Sequence, residues 1–215
     1  MRKICICDLH HQVLPFWAQW QRKNHTPVTV LTLDHHTDVV RAFRDESIKV
    51  PENSWESQEN VQKAVETLRH DEHFDWALQC GLIHQAFIAS HTCATVPADE
   101  RLHICCDPAW PDENLLFQEP ERFRSLADSV LESDYLFRQF GDPEQYGTYI
   151  LDIDCDYFLT AKALEPDDSC CFRHLAEQAA LITISLESDW VRLLQFRNEA
   201  LDAGEICKKL HCFFA

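Results

Sequence analysis

Apolar runs of five or six residues recur along this chain, most closed by an aspartate, with helical stretches between them. Lys3 to Cys7 runs into Asp8. Val28 to Leu33 (VTVLTL) is bounded by Pro27 and Asp34. Leu102 to Cys106 (LHICC) stops at Asp107-Pro108. Tyr149 to Ile153 (YILDI) and Leu181 to Ser185 (LITIS) follow the same plan. Runs of this length, rich in β-branched residues, read as strands. Several are continuously apolar rather than alternating, as expected of strands covered on both faces. Between them, Val13 to Arg22, Gln58 to Leu68, Phe74 to Cys80, Arg122 to Phe140, Cys171 to Ala180 and Asp189 to Leu210 read as helices. The last is open to a break at Gly204. Glu46 to Ser57, polar and holding Pro51, reads as a loop. The alternation predicts one α/β domain over residues 1–215, a three-layer α/β/α sandwich on a mainly parallel sheet.

Composition narrows the function. The formal net charge of −17 repels a polyanion, so nucleic acid is not an expected partner. It suits a cation, a guanidinium or a basic peptide. Four glycines leave no Gly-rich phosphate loop. No apolar run approaches the roughly 20 residues that span a bilayer. Eleven cysteines are an odd number and lack zinc-knuckle spacing. No secretory signal is legible at Met1-Arg2-Lys3, so most cysteines read as small buried hydrophobes in a reducing, cytoplasmic setting.

The residues suited to chemistry gather just past the strand ends. Asp8 and His10 follow the first strand, Asp34, His36 and Asp38 the second. Asp152, Asp154 and Asp156 end the fourth, and Glu187 follows the fifth. In a parallel sheet these ends share one edge. Crowded carboxylates raise one another's pKa, and a divalent cation relieves that conflict. Three or more carboxylates with one or two imidazoles favour a hard or borderline metal such as Mn²⁺. Taken singly, each group also has an ordinary reading. Asp34 can cap a helix, Asp152 and Asp154 can merely end a strand, and Glu187 can favour a helix dipole.

Together the motifs resemble a known family. Asp34-His35-His36-Thr37-Asp38 resembles the Asp-x-His-Thr-Asp signature of arginases and related ureohydrolases. Leu151-Asp152-Ile153-Asp154 resembles their second motif. The segment His10 to Phe16, His-x-x-Val-Leu-Pro-Phe, is similar to a compact branch that includes peptide arginases. These convert arginine residues of ribosomal precursor peptides into ornithine. The resemblance runs from Ile4 to about Glu187.

It implies two Mn²⁺ ions. His10 and Asp38 would bind the first, His36 and Asp154 the second, and Asp34 and Asp152 would touch both. It implies Glu187 on the substrate guanidinium and a histidine as proton donor, with His73 the first candidate and His84 the second. The expected partner is an arginine-containing precursor peptide, and the expected products are ornithine and urea. Asp156 comes sooner than the further aspartate usual in arginases. A Gly-Gly-Asp-His segment is absent, leaving His11 as an alternative to His10. Two other functions stay open: a deacetylase-like amidohydrolase of the same superfamily, and a non-catalytic metal or peptide binder.

Overall fold

A computed structural model describes residues 3–44, 48–92 and 95–214. Residues 1, 2, 46 and 47, on which the signal and loop readings partly rest, lie outside the described residues. Six strands form one sheet: β1 (Ile4–Cys7), β2 (Thr29–Asp34), β3 (Gln85–Ser90), β4 (Leu102–Cys106), β5 (Tyr149–Asp154) and β6 (Leu181–Ser185). Their spatial order is β1-β6-β5-β2-β3-β4, and the neighbouring strands all pair in parallel. The chain moves outward from β2 through β3 to β4, then returns beside β2 with β5 and moves the other way to β6. The sheet therefore has its topological switch at β2 and β5, where parallel folds open a crevice at the strands' carboxyl ends.

Five of the strands are those expected. β3 is the addition, because QAFIAS has neither a β-branched run nor a strong turn signal before it. Helices cover both faces. On one lie α1 (Leu14–Asn24), α2 (Gln58–Thr67) and α3 (His73–Gln79), whose Trp17, Val61 and Phe74 share a core with Val30, Ile88 and Ile150. The other face packs Leu31, Leu33, Leu151 and Ile153 against a second group of helices. These are α5 (Arg124–Asp128), α6 (Ser133–Phe140), α7 (Cys170–Gln178), α8 (Ser188–Leu194) and α9 (Ala203–Phe213), with α4 (Glu113–Gln118) beside them. Odd and even strand positions thus feed opposite cores, the period-two rule of a pleated strand.

Local chemistry sets the helix limits. Pro15 sits in the first turn of α1, where its missing N–H is harmless. Ser57 caps α2 by accepting from the Asn60 amide. The expected terminal helix is divided, but not at Gly204. Asp202 caps α9 by accepting from the Gly204 and Glu205 amides, so Gly204 lies inside the first turn and the break falls before it. The long helix expected over 122–140 is divided between Asp128 and Ser133. Among the described residues nine cysteines are free, and Cys106 is in a disulfide. No helix among the described residues is long and apolar enough to cross a membrane.

Candidate metal centre at the carboxyl edge of the sheet

The ends of β1, β2, β5 and β6 bring the expected residues to one edge. A short 3-10 turn over His10–Val13 follows β1 and turns the His10 ring inward, leaving it 1% exposed. Its Nδ1 faces three carboxylates: Asp38 at 3.0 Å, Asp154 at 3.2 Å and Asp34 at 3.4 Å. Its Nε2 lies 2.7 Å from Asp152. The carboxylate contacts are made by His10, whereas the buried Nδ1 of His11 has no partner among the described residues, so of the two neighbouring histidines His10 faces the acids.

Asp34, Asp38 and Asp154 are all buried. Asp34 sits level with the end of β5, since Leu33 pairs with Ile153. Asp38 has φ of 48°, and Glu187 has φ of 38°. Such left-handed backbone is uncommon outside glycine and concentrates at functional sites.

Asp152 occupies a different place from the other acids. Thr32 is its partner across β2. It therefore lies one pleat repeat below Asp154, roughly 6–7 Å deeper along the strand. Its carboxylate is fully engaged. Oδ1 accepts from Thr183 Oγ1 at 2.5 Å, while Oδ2 accepts from Thr32 Oγ1 at 3.0 Å and faces His10 Nε2. A carboxylate on the outer nitrogen of an imidazole fixes its tautomer and turns the other nitrogen toward a ligand. Asp152 thus stands behind His10 and does not join the converging ligand atoms to which the sequence reading assigned it.

Asp156, given no role from the sequence, stands among them instead. The 3-10 turn Cys155–Tyr157 folds back after β5. Asp156 Oδ2 reaches His36 Nδ1 at 3.1 Å, while its Oδ1 accepts from the His35 amide at 3.3 Å. Two triads then have ligand atoms close enough for a shared ion: His10, Asp34 and Asp154, and Asp34, His36 and Asp156. Asp34 belongs to both. A third triad joins His10 and Asp38 to His73. The signal for Asp156 is its parity, because it continues the same-face series Asp152, Asp154.

The electrostatics are those of a centre built around positive charge. Burial, then the Asp38 charge, push Asp34 up to about 7. Burial, then Asp156, hold Asp154 well above the usual carboxylate range. Burial acts to lower His10, but the Asp152 and Asp154 carboxylates outweigh it and hold the imidazolium well above its ordinary value. Likewise burial lowers His36, yet its bond to Asp156 carries it up to about 9. Asp34 Oδ2 and Asp156 Oδ2 are buried without a well-directed hydrogen bond among the described residues. Four buried acids, Asp34, Asp38, Asp154 and Asp156, crowded against two imidazoles fit a divalent cation, which removes their mutual repulsion.

The other expected residues are placed as follows. Glu187, 6% exposed, accepts from the His10 amide through Oε1 at 2.7 Å. Burial raises its pKa. His73 is fully buried, its ring 4.4 Å from that of His10. Its Nδ1 is 2.9 Å from the His70 carbonyl, so Nδ1–H donates there and the buried Nε2 has no partner among the described residues. Burial, then the His10 charge, hold it well below its ordinary value. His84 precedes β3 and donates its amide to the Val28 carbonyl at the opposite edge of the sheet. That position removes it as a proton donor to this centre. A cleft of about 240 Å³ opens beside the acids, lined by His36, Asp38, His70, Asp71, Asp112 and Glu113 among others.

No family model matches the chain, and no curated protein matches it. Solved structures do. A hypothetical agmatinase from Burkholderia thailandensis superposes with a TM-score of 0.50 at 15% identity, over 99% of this chain and 59% of that one. Proclavaminate amidino hydrolase from Streptomyces clavuligerus gives 0.50 at 11%, over 98% and 61%. The fold is arginase-like. The chain spans about three fifths of the length of either structure. At such identities the likeness concerns the fold, so the chemistry rests on this chain's own side chains.

Proposed function

We propose that this protein is a metal-dependent amidinohydrolase that converts peptidyl arginine to ornithine and urea. The observation that carries the reading is the double membership of Asp34. One buried carboxylate belongs to two adjacent carboxylate–imidazole triads, as a binuclear site requires. His10, Asp34, Asp38 and Asp154 would hold one ion, and Asp34, His36 and Asp156 the other. All-oxygen and imidazole donors favour Mn²⁺ over thiolate-loving metals. Bound there, the ions supply the positive charge that ionises a water near neutral pH.

The chain's own groups do the rest. Glu187, buried beside His10, offers a carboxylate to the planar guanidinium, pairing its charge and fixing its orientation. Water oxygen adds to the guanidinium carbon, and the bond from that carbon to the ornithine nitrogen breaks. The leaving amine needs a proton. His73 is our candidate to carry it. With His10 uncharged as a ligand, His73 would take the water proton on Nε2, left free by the Nδ1–H bond to the His70 carbonyl, and return it to the amine.

The acidic cleft favours a substrate with no free carboxylate near its guanidinium, since no lysine or arginine among the described residues lines it. An arginine within a peptide satisfies that condition. The test is to incubate the Mn²⁺-loaded protein with an arginine-containing peptide. Urea release with a mass loss of about 42 Da, the CH₂N₂ unit, supports the reading. Acetate release from an acetylated substrate would assign a deacetylase instead. Binding without turnover under any metal would assign a non-catalytic binder.

A further inference from the structure

Helix α8 leads from the candidate centre to a second cavity. Glu187 precedes the helix, and Trp190 packs edge-on against His36, with ring centroids 5.1 Å apart. Leu193 then lines a cleft of about 160 Å³ together with Phe117, Leu116, Phe196, His35 and Arg197. Phe117 is 50% exposed and Leu193 63% exposed. Large apolar side chains exposed side by side mark a surface meant to be covered. Drug-sized ligands occupy roughly 300–1,000 Å³, so this volume suits one side chain.

A polar feature adds to the apolar one. His35 is 1% exposed, yet its Nε2 has no hydrogen-bond partner among the described residues. Its Nδ1 stands 3.3 Å from His91 Nδ1, so that nitrogen is already engaged. A buried polar atom is normally satisfied. A purely hydrocarbon occupant would leave His35 unsatisfied, whereas a peptide brings amide groups as well as an apolar side chain. Arg197 at the same cleft places a cation where a peptide carbonyl or carboxylate can pass.

We propose that this cleft binds an apolar side chain of the same peptide whose arginine enters the metal centre. The inference rests on the amidinohydrolase reading and sharpens its substrate class. The spacing follows from α8. Leu193 stands six positions past Glu187, a rise of about 9 Å at 1.5 Å per residue. An extended peptide covers that distance in about three residues. The favoured substrate therefore carries leucine, isoleucine or phenylalanine about three positions from its arginine.

The experiment uses three end-blocked peptides with one arginine in a glycine–serine background. One has leucine three positions before the arginine, one has leucine three positions after it, and one has neither. For the Mn²⁺-loaded protein, one leucine peptide should exceed the plain peptide in kcat/KM by roughly 10-fold or more, the scale of burying one leucine. The paired change Leu193→Ser with Phe117→Ser should bring that ratio close to one and leave turnover of the plain peptide unchanged.

Equal urea release from all three peptides overturns the cleft while the amidinohydrolase reading stands. If no urea appears, fluorescence anisotropy of labelled peptides decides. Tighter binding of one leucine peptide, lost in the double variant, keeps the cleft and overturns the activity. Equal binding overturns both. A double variant that converts a dimer to a monomer with unchanged peptide selectivity assigns the cleft to a second copy of this chain, against the proposal.

Discussion

His10 and His91 are both buried at the same sheet edge, and their surroundings drive them in opposite directions. His10 has carboxylates on both ring nitrogens and is held well above its ordinary pKa, although burial alone would lower it. His91 lies stacked between Trp110 and Tyr157, at 4.1 and 4.5 Å, and burial, then the His36 charge, push it down to about 3. Equal burial therefore yields a charge-seeking pocket and a charge-refusing one, separated by the His35–His36 step. Neighbouring charge, not depth, decides which imidazole belongs to a metal site.

The sharpest way to break that contrast is to remove the carboxylate common to both triads. Asp34→Ala should abolish metal loading and reduce urea release to background. Elemental analysis beside a urea assay checks it, and normal turnover with two metals bound would sink the site altogether. Next comes the contrast between Asp156 and Asp152. Asp156→Ala should cost at least one metal equivalent and nearly all turnover. Asp152→Asn should retain both metals at saturation but weaken their binding by about 10–100-fold, the scale of losing an outer partner of a ligating histidine. The reverse ranking would place Asp152 among the ligands and Asp156 outside them.

That pair of aspartates also shows how far the sequence could be read. Strand ends, parallel layering and the Asp34–Asp38 loop were legible because β-branched runs and strand-end acids are local signals. What could not be read was depth. Asp152, Asp154 and Asp156 share one parity, and only the pairing of Thr32 with Asp152 shows which of them is sunk in the sheet. The 3-10 turn over Cys155–Tyr157, which swings Asp156 to His36, has no proline or glycine to announce it. β3 escaped for a related reason, its small residues being tolerated because both faces are covered. His84 looked available because its distance from the motifs along the chain says nothing about which edge it occupies.

A smaller effect separates the two imidazole environments by pH. His91 has its pKa lowered on folding, so the unfolded chain binds the extra proton first. Its contribution is intact above pH 6.5 and is lost as pH falls toward about 3. The full loss is on the order of 5 kcal/mol. Denaturant titrations of the metal-free protein at steps from pH 7 to pH 4 should show this decline. His91→Phe should flatten it. The metal centre adds an opposite trend. Asp34 has a raised pKa, so its repulsive cost grows as pH rises from near 4 through about 7. Mn²⁺ should cancel the second trend and leave the first, and a metal effect on both would mean that the two pockets are not electrostatically separate.

The smallest expected effect concerns how His36 is held. Its Nδ1 pairs with Asp156 at 3.1 Å, while Trp190 touches the ring only edge-on and stays partly exposed. An aromatic contact of this kind contributes about 0.5–1.5 kcal/mol beyond its buried area, equivalent to roughly 2–10-fold in a binding constant. Trp190→Ala should therefore weaken metal binding by no more than about 10-fold, and Trp190→Phe should restore most of it. If charge positions His36, these changes stay far below the loss in Asp156→Ala. A Trp190→Ala protein that lost its metal as completely as Asp156→Ala would show that packing, rather than the carboxylate, orients this imidazole.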